Sequence, residues 1–195
     1  MYRVGIIGCG RVGCEFDDCH AKAYKECDKT LLILACDTDR TRAYRCGLEY
    51  GTLSGVCTDY LINIKVALPD IVSVCTPPET HCQIVCDIAP YVKAIYCEKP
   101  IATTIPDAEK MIETCHKNNV ILQINHQRRF GRPTFYYSRG IENTGTHLFD
   151  LLNMYFGNIQ KGIGNSVITP RGLVIDIVEV DTDEPVFEFK VPTEG

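Results

Sequence analysis

An α/β fold, a doubly wound parallel sheet followed by a small, truncated α+β C-terminal part, is predicted from three features of the sequence. Short, continuously apolar runs alternate with stretches of helical periodicity over residues 1–125. A glycine-rich turn follows the first of those runs directly. Beyond Asn125 the sequence becomes irregular, basic and aromatic (HQRRFGRPTFYYSRG), and too little chain remains for a second large domain.

The runs Tyr2–Gly8, Leu31–Asp37, Asp70–Cys75, Ala94–Cys97 and Val120–Ile124 predict buried parallel strands. They are apolar throughout rather than alternating, as happens when helices cover both faces of a sheet. Val12, Phe16, Cys19 and Ala23 recur at helical spacing and predict one helix after the glycine turn. Asp39–Tyr50 predicts a second helix, closed by Gly51. Ala108, Met111, Ile112 and Cys115 predict a third, with Thr104–Asp107 as its capping stretch and Pro106 near its start. In the C-terminal part, Thr146–Phe156 is amphipathic and stops at Gly157, which predicts a helix. Gly172–Asp181 and Val186–Val191 predict strands, joined by a turn at Asp181–Pro185.

Composition narrows the function classes. The 195 residues are 45% hydrophobic and 23% charged, enough apolar material for a packed core. Twenty basic against 25 acidic side chains leave a net charge of −5, which argues against nucleic acid as a partner. Apolar runs such as Leu31–Cys36 are too short to span a bilayer, so no membrane partner is expected. The opening MYRVGIIGCG is cut by glycines too early for a signal-peptide apolar region. Twelve cysteines lie between Cys9 and Cys115 with no CxxC pair, so no metal site is expected. Without an export signal they are expected to be reduced thiols of a cytoplasmic protein, with Cys36, Cys75 and Cys97 acting as small buried hydrophobes.

The glycine turn, Gly8-Cys9-Gly10-Arg11-Val12-Gly13, is GxGxxG between a strand and a helix. Gly8 permits the tight turn, Gly10 lets a pyrophosphate approach the backbone, and Gly13 lets helix and strand pack closely. Arg11 and Val12 complete the loop, and the helix start would offer its amides to the phosphates. Asp37 ends the second strand, where a carboxylate accepts from both ribose hydroxyls of an adenosine and repels a 2′-phosphate. NAD is thus the expected cofactor; NADP stays open because Arg40 and Arg42 stand nearby. S-adenosylmethionine enzymes share this glycine pattern in looser form, and it alone does not separate the two.

Cys75-Thr76-Pro77-Pro78-Glu79-Thr80-His81 and Cys97-Glu98-Lys99-Pro100 follow two further strands and fall at the carboxyl edge of the expected sheet. Together with Gln127-Arg128-Arg129-Phe130, Pro133 and Gly145-Thr146-His147-Leu148-Phe149-Asp150, they closely resemble the Gfo/Idh/MocA oxidoreductases, the glucose–fructose oxidoreductase and inositol dehydrogenase group. The resemblance covers residues 1–157. It implies a Rossmann dinucleotide-binding domain over 1–125 and a reduced substrate or oligomerisation domain over 126–195. The implied reaction is hydride transfer between a nicotinamide and a carbinol carbon of a sugar or cyclitol.

It further implies that Lys99 is catalytic and contacts substrate, its ammonium polarising a carbonyl or stabilising an alkoxide. Glu98 and Pro100 hold that lysine, and in the family the Lys–Pro peptide is often cis. His147 matches a histidine that acts as acid/base or binds the substrate hydroxyl, and an imidazole of pKa about 6.5 suits the former. Thr76, Pro77, His81 and Glu98 are expected at the cofactor, and Arg128 and Asn143 at the substrate. Asn143 stands where relatives carry a carboxylate; an amide can orient a hydroxyl but cannot take its proton. His20 is expected as a surface or packing residue. Two readings follow. One is a compact NAD-dependent oxidoreductase that forms homo-oligomers through its C-terminal strands. The other is a non-catalytic dinucleotide-binding sensor or assembly protein.

Overall fold

The computed structural model describes residues 1–126 and, further on, the backbone of three short strands. The chain divides into two units, Met1–Asn125 and His126–Gly195. The expected helix Thr146–Phe156, the strand Val186–Val191 and the turn before it lie outside the described residues.

In the first unit six parallel strands form one sheet: β1 (Tyr2–Ile7), β2 (Thr30–Cys36), β3 (Val56–Cys57), β4 (Ile71–Val74), β5 (Ala94–Cys97) and β6 (Ile121–Ile124). Their order is β3-β2-β1-β4-β5-β6. β1 is the first strand laid down and sits centrally, paired with β2 from Tyr2↔Thr30 and with β4 from Val4↔Ile71. The chain winds outward from it in one direction and then returns to wind in the other. This reversal splays the connections apart between β1 and β4, and opens a crevice beyond the carboxyl ends of those strands. The expected doubly wound parallel sheet is the one observed.

Side chains alternate across a strand, so neighbouring apolar residues feed two cores. On one face Ile6, Leu32 and Ala35 pack with Ala21 of α1 (His20–Glu26) and with Ala43 and Cys46 of α2 (Arg40–Tyr50). On the other, Ile7, Leu34, Val72, Val74 and Ile95 pack with three helices. These are α3 (Tyr60–Ala67), which supplies Ile64, α4 (His81–Ile88), which supplies Val85 and Ile88, and α5 (Ile105–Lys117), which supplies Met111. The helix ends follow local chemistry. The Asp39 carboxylate caps α2 by accepting from the Thr41 amide, and Gly51 closes that helix in the left-handed region at φ 81°. Thr104 Oγ1 accepts from the Asp107 amide at the start of α5.

Five features of the first unit depart from expectation. The single helix expected through Val12, Phe16, Cys19 and Ala23 is broken. Arg11–Glu15 is a five-residue π turn, Phe16 and Cys19 are extended, and α1 begins only at His20. The Gly10 carbonyl accepts from both the Cys14 and Glu15 amides, which widens the turn and ends it. Val12 and Phe16 are consequently exposed rather than packed. The two-residue β3 and helix α3 carry no expectation from the sequence. Finally, the thiols are not all reduced: Cys14 and Cys46 form a disulfide, because α2 lays Cys46 against the turn that follows the glycine loop. Cys36 and Cys97 are buried free thiols as expected, while Cys75 is only half-buried.

The second unit contains β7 (Lys161–Ile163), β8 (Ser166–Ile168) and β9 (Val174–Asp176) in antiparallel order β7-β8-β9. β9 falls within the expected strand Gly172–Asp181; β7 and β8, paired from Lys161↔Ile168 to Ile163↔Ser166, were not foreseen.

Candidate dinucleotide site

The glycine loop leaves β1 at its carboxyl end. Gly8 has φ +94°, and a Cβ there would lie 2.7 Å from the carbonyl of Cys75, the residue directly after neighbouring β4. A Cβ on Gly13 would lie 2.0 Å from the Gly8 oxygen. These two glycines are demanded by the protein's own backbone. Gly10 is different: a Cβ there would meet nothing nearer than Arg42 Nη1 at 3.9 Å. Its missing side chain leaves room on the cleft side, the clearance a pyrophosphate needs to reach the backbone. The five-residue turn beyond it is too short to supply the terminal charge of a long helix, so anion contact would rest on the loop itself.

The cleft has a volume of about 920 Å³ and lies beyond β1, β2 and β4. Gly8, Gly10, Arg11, Val12, Asp37, Thr76 and Pro77 all line it, which brings most of the expected cofactor residues together. Gly13 is buried beneath the loop, as its packing demands. Asp37 is half-buried; its Oδ2 accepts from the Cys9 amide and its Oδ1 from the Asp39 amide, both at 2.8 Å. Each carboxylate oxygen keeps a second lone pair for a hydroxyl donor. Arg42, paired with Asp39 at 3.8 Å, also lines the cleft, and Arg40 does not.

Along the same sheet edge, β5 delivers Glu98, Lys99 and Pro100. Glu98 is 8% exposed and does not line the cleft. One of its oxygens accepts from His20 Nε2 at 3.0 Å and from the Asn125 amide; the other accepts from the Lys99 backbone N–H at 3.3 Å. An ionised carboxylate only accepts, so Nε2 carries the shared proton. His20 Nδ1 reaches Ser73 Oγ at 3.0 Å, Tyr24 bonds the same hydroxyl, and Tyr96 donates to Asn125. Burial pushes the Glu98 carboxyl up, but hydrogen bonds from His20 and Asn125, with the His20 charge and the Lys99 amide, hold it below the usual glutamate range. His20 is thus no surface residue; it is 7% exposed at the centre of a polar network spanning α1, β4, β5 and the end of β6. Lys99 is half-buried, and its bond to Pro100 is cis.

His81 does not line the cleft either. Fully buried, it bridges two backbone segments, with Nε2 2.9 Å from the Thr76 oxygen and Nδ1 3.0 Å from the Pro100 oxygen. It ties the two edge motifs together from behind. Arg128, Asn143 and His147 lie outside the described residues. Conversely, Thr38, Thr58, Tyr60, Thr80 and Gln83 line the cleft without having been foreseen as site residues. Asp59, which caps α3 by accepting from the Ile62 amide, is the local signal that could have placed Thr58 and Tyr60 beside a helix start.

Residues 2–126 match the model of the Gfo/Idh/MocA oxidoreductase family, described as having an NAD-binding Rossmann fold. The chain belongs to this family. It is 30% identical over 141 residues to myo-inositol 2-dehydrogenase of Thermotoga maritima, covering 72% of this chain and 41% of that protein. It is 32% identical over 132 residues to D-glucoside 3-dehydrogenase of Escherichia coli, covering 68% and 36% respectively. The chain therefore spans about two-fifths of the length of these curated relatives. Among solved structures, the WlbA dehydrogenase of Bordetella pertussis, in complex with NADH and UDP-GlcNAcA, superposes with a TM-score of 0.74 at 18% identity, covering 94% of this chain and 72% of that one. An oxidoreductase of Agrobacterium radiobacter in complex with NAD+, L-tartaric acid and magnesium gives 0.73 at 18%, covering 93% and 68%. These structures show the fold. The relatives' activities do not favour the non-catalytic sensor reading. No helix among the described residues is long and apolar enough to cross a membrane.

Proposed function

We propose that this family member binds NAD in the cleft beyond β1, β2 and β4 and serves hydride transfer to or from the carbinol carbon of a sugar or cyclitol. The observation that carries the reading is the loop whose middle glycine, Gly10, is open to the cleft while Gly8 and Gly13 are closed by backbone, with Asp37 across from it. NAD, once bound, supplies the hydride acceptor. Gly8, Gly10, Arg11 and Val12 would face the phosphates, Asp37 the ribose hydroxyls, and Thr76 and Pro77 the far wall. The Asp37 carboxylate repels a 2′-phosphate, so NAD is preferred, although Arg42 in the cleft leaves NADP some purchase.

Lys99 is assigned the reacting oxygen, where its ammonium polarises a carbonyl or steadies an alkoxide. Glu98 positions it by holding its backbone N–H. His81 joins the Thr76 and Pro100 backbones, so that the cofactor wall and the lysine keep a fixed separation. His147 is assigned as the acid/base partner, with Arg128 and Asn143 at the substrate. The relatives' sugar and cyclitol substrates supply the substrate class. The protein is further assigned to the cytoplasm, as a homo-oligomer assembled through C-terminal strands.

The test is reduction of NAD+ by the full chain with a panel of cyclitols and sugars, followed at the nicotinamide absorbance. Turnover is expected with at least one member of the panel, and is expected to be lost in Lys99→Ala while NADH affinity stays within about twofold. Turnover that survives Lys99→Ala unchanged removes the lysine's role. A panel without turnover, on protein that binds NADH, removes the dehydrogenase reading.

A further inference from the structure

The glycine loop carries a second chemistry that dinucleotide binding does not use. Cys9, between Gly8 and Gly10, is 1% exposed; Cys14, in the π turn, is 4% exposed; and Cys46, on α2, is 1% exposed. The three sulfur atoms lie within 4.8 Å of one another. They come from the glycine loop, the π turn directly after it, and α2, and meet beneath the loop. Among the described residues, this is the one group of three or more cysteine, histidine or acidic side chains close enough to share a cation.

We propose that Cys9, Cys14 and Cys46 form a site for a thiophilic d10 cation of the zinc, cadmium or monovalent copper class when the Cys14–Cys46 bond is reduced. A cation held about 2.3 Å from each of three sulfurs in a trigonal arrangement sets those sulfurs about 4.0 Å apart. The Cys14 and Cys46 sulfurs are bonded to each other here and must part by about 2 Å once reduced to reach that geometry, while the Cys9 sulfur already lies within 4.8 Å of both. The donor set is entirely sulfur, which selects soft cations over magnesium or calcium. Burial excludes the water that would compete for the cation and presents the thiols only to an ion that can replace their protons.

The disulfide and the metal complex are alternative states of the same atoms. Two molecules of a low-molecular-weight thiol convert the Cys14–Cys46 bond to two cysteine thiols and one small disulfide, so the two electrons come from the small thiol. A divalent cation then binds three thiols with release of three protons, and the complex carries one net negative charge. Oxidation of Cys14 and Cys46 takes two of the three ligands away.

The test uses the full chain, fully reduced and then desalted under anaerobic conditions, and titrated with Cd2+. The readout is the ultraviolet thiolate-to-cadmium charge-transfer band, with alkylation and mass spectrometry to map which of the twelve cysteines the ion protects. One equivalent is expected to saturate the band and to protect Cys9, Cys14 and Cys46. The band is expected to be lost in Cys46→Ser and kept in Cys27→Ser, which alters an exposed thiol outside the cluster. Protection of other cysteines instead, an undiminished band in Cys46→Ser, or no band in reduced wild-type protein overturns the proposal. The protection map needs no variant, so it decides the matter even if Cys46→Ser fails to fold.

Discussion

Replacing Gly10 and Gly13 separately by alanine should divide the loop's two duties, binding and folding. At Gly13 the new Cβ would sit 2.0 Å from the Gly8 oxygen. A relaxed carbon–oxygen contact is about 3.3 Å, so that carbonyl would have to retreat by more than about 1 Å. It cannot do so freely, because Gly8 itself is held by the hydrogen bond its N–H donates to the Cys36 oxygen at 2.8 Å and by the Cys75 backbone beside it. Overpacking of this kind costs about 1–3 kcal/mol or more, from a total stability of about 5–15 kcal/mol. For a chain of this size it should lower Tm by about 2–12 °C.

Gly10 has φ −79° and ψ −155°, a conformation alanine adopts without strain, and its Cβ would touch no backbone. Gly10→Ala should therefore leave the free protein as stable, or more stable by about 0.4–1 kcal/mol through the unfolded chain. The methyl group would instead occupy the approach to the loop. A steric cost of about 1–3 kcal/mol there corresponds to about 5- to 140-fold in Kd for NADH. Thermal denaturation without ligand and NADH titration of the same samples separate the effects. Unaltered NADH affinity in Gly10→Ala would refute the placement of the pyrophosphate, and unaltered stability in Gly13→Ala would refute the packing argument.

Other expectations follow from the same geometry. Asp37→Ala should weaken NADH by about tenfold or more, since it removes acceptors for two hydroxyls, and should weaken NADPH less; a larger loss for NADPH would overturn the preference for NAD. Glu98 is held below its ordinary pKa of 4.5, so its contribution to stability is complete above that value and is lost as pH falls beneath it. Urea midpoints measured from neutral pH down through pH 4 should fall less steeply in Glu98→Gln than in the wild type; parallel profiles would show that the carboxylate gains nothing from His20 and Asn125.

Legibility from sequence tracked the range of the interactions involved. Strands such as Ile71–Val74 and Ala94–Cys97 announced themselves because parallel strands covered on both faces must be apolar throughout. β3, at two residues, is too short for any pattern. α3 went unread because Tyr60, Ile62, Ile64 and Val66 recur every second residue, which mimics a strand; the Asp59 cap was its only clear marker. The glycine loop was legible because each glycine answers a local steric demand. His20 was not, because its partners Ser73, Glu98 and Asn125 lie 53, 78 and 105 residues away and meet it only in the folded sheet. The same holds for Cys14 and Cys46, whose 32-residue separation matches no recognised spacing. His81 sits where the motif suggested but serves the backbone behind the cleft instead of its wall.

Direct titration of the full chain with NADH is the most immediate test of the cleft assignment. The protein contains no tryptophan, so the cofactor's own fluorescence reports binding without a competing indole signal. A saturable change with one NADH per chain, weakened in Gly10→Ala and in Asp37→Ala, is the expected result. Emission indistinguishable from NADH in buffer, on protein shown to be folded, would contradict the assignment of this cleft to a dinucleotide.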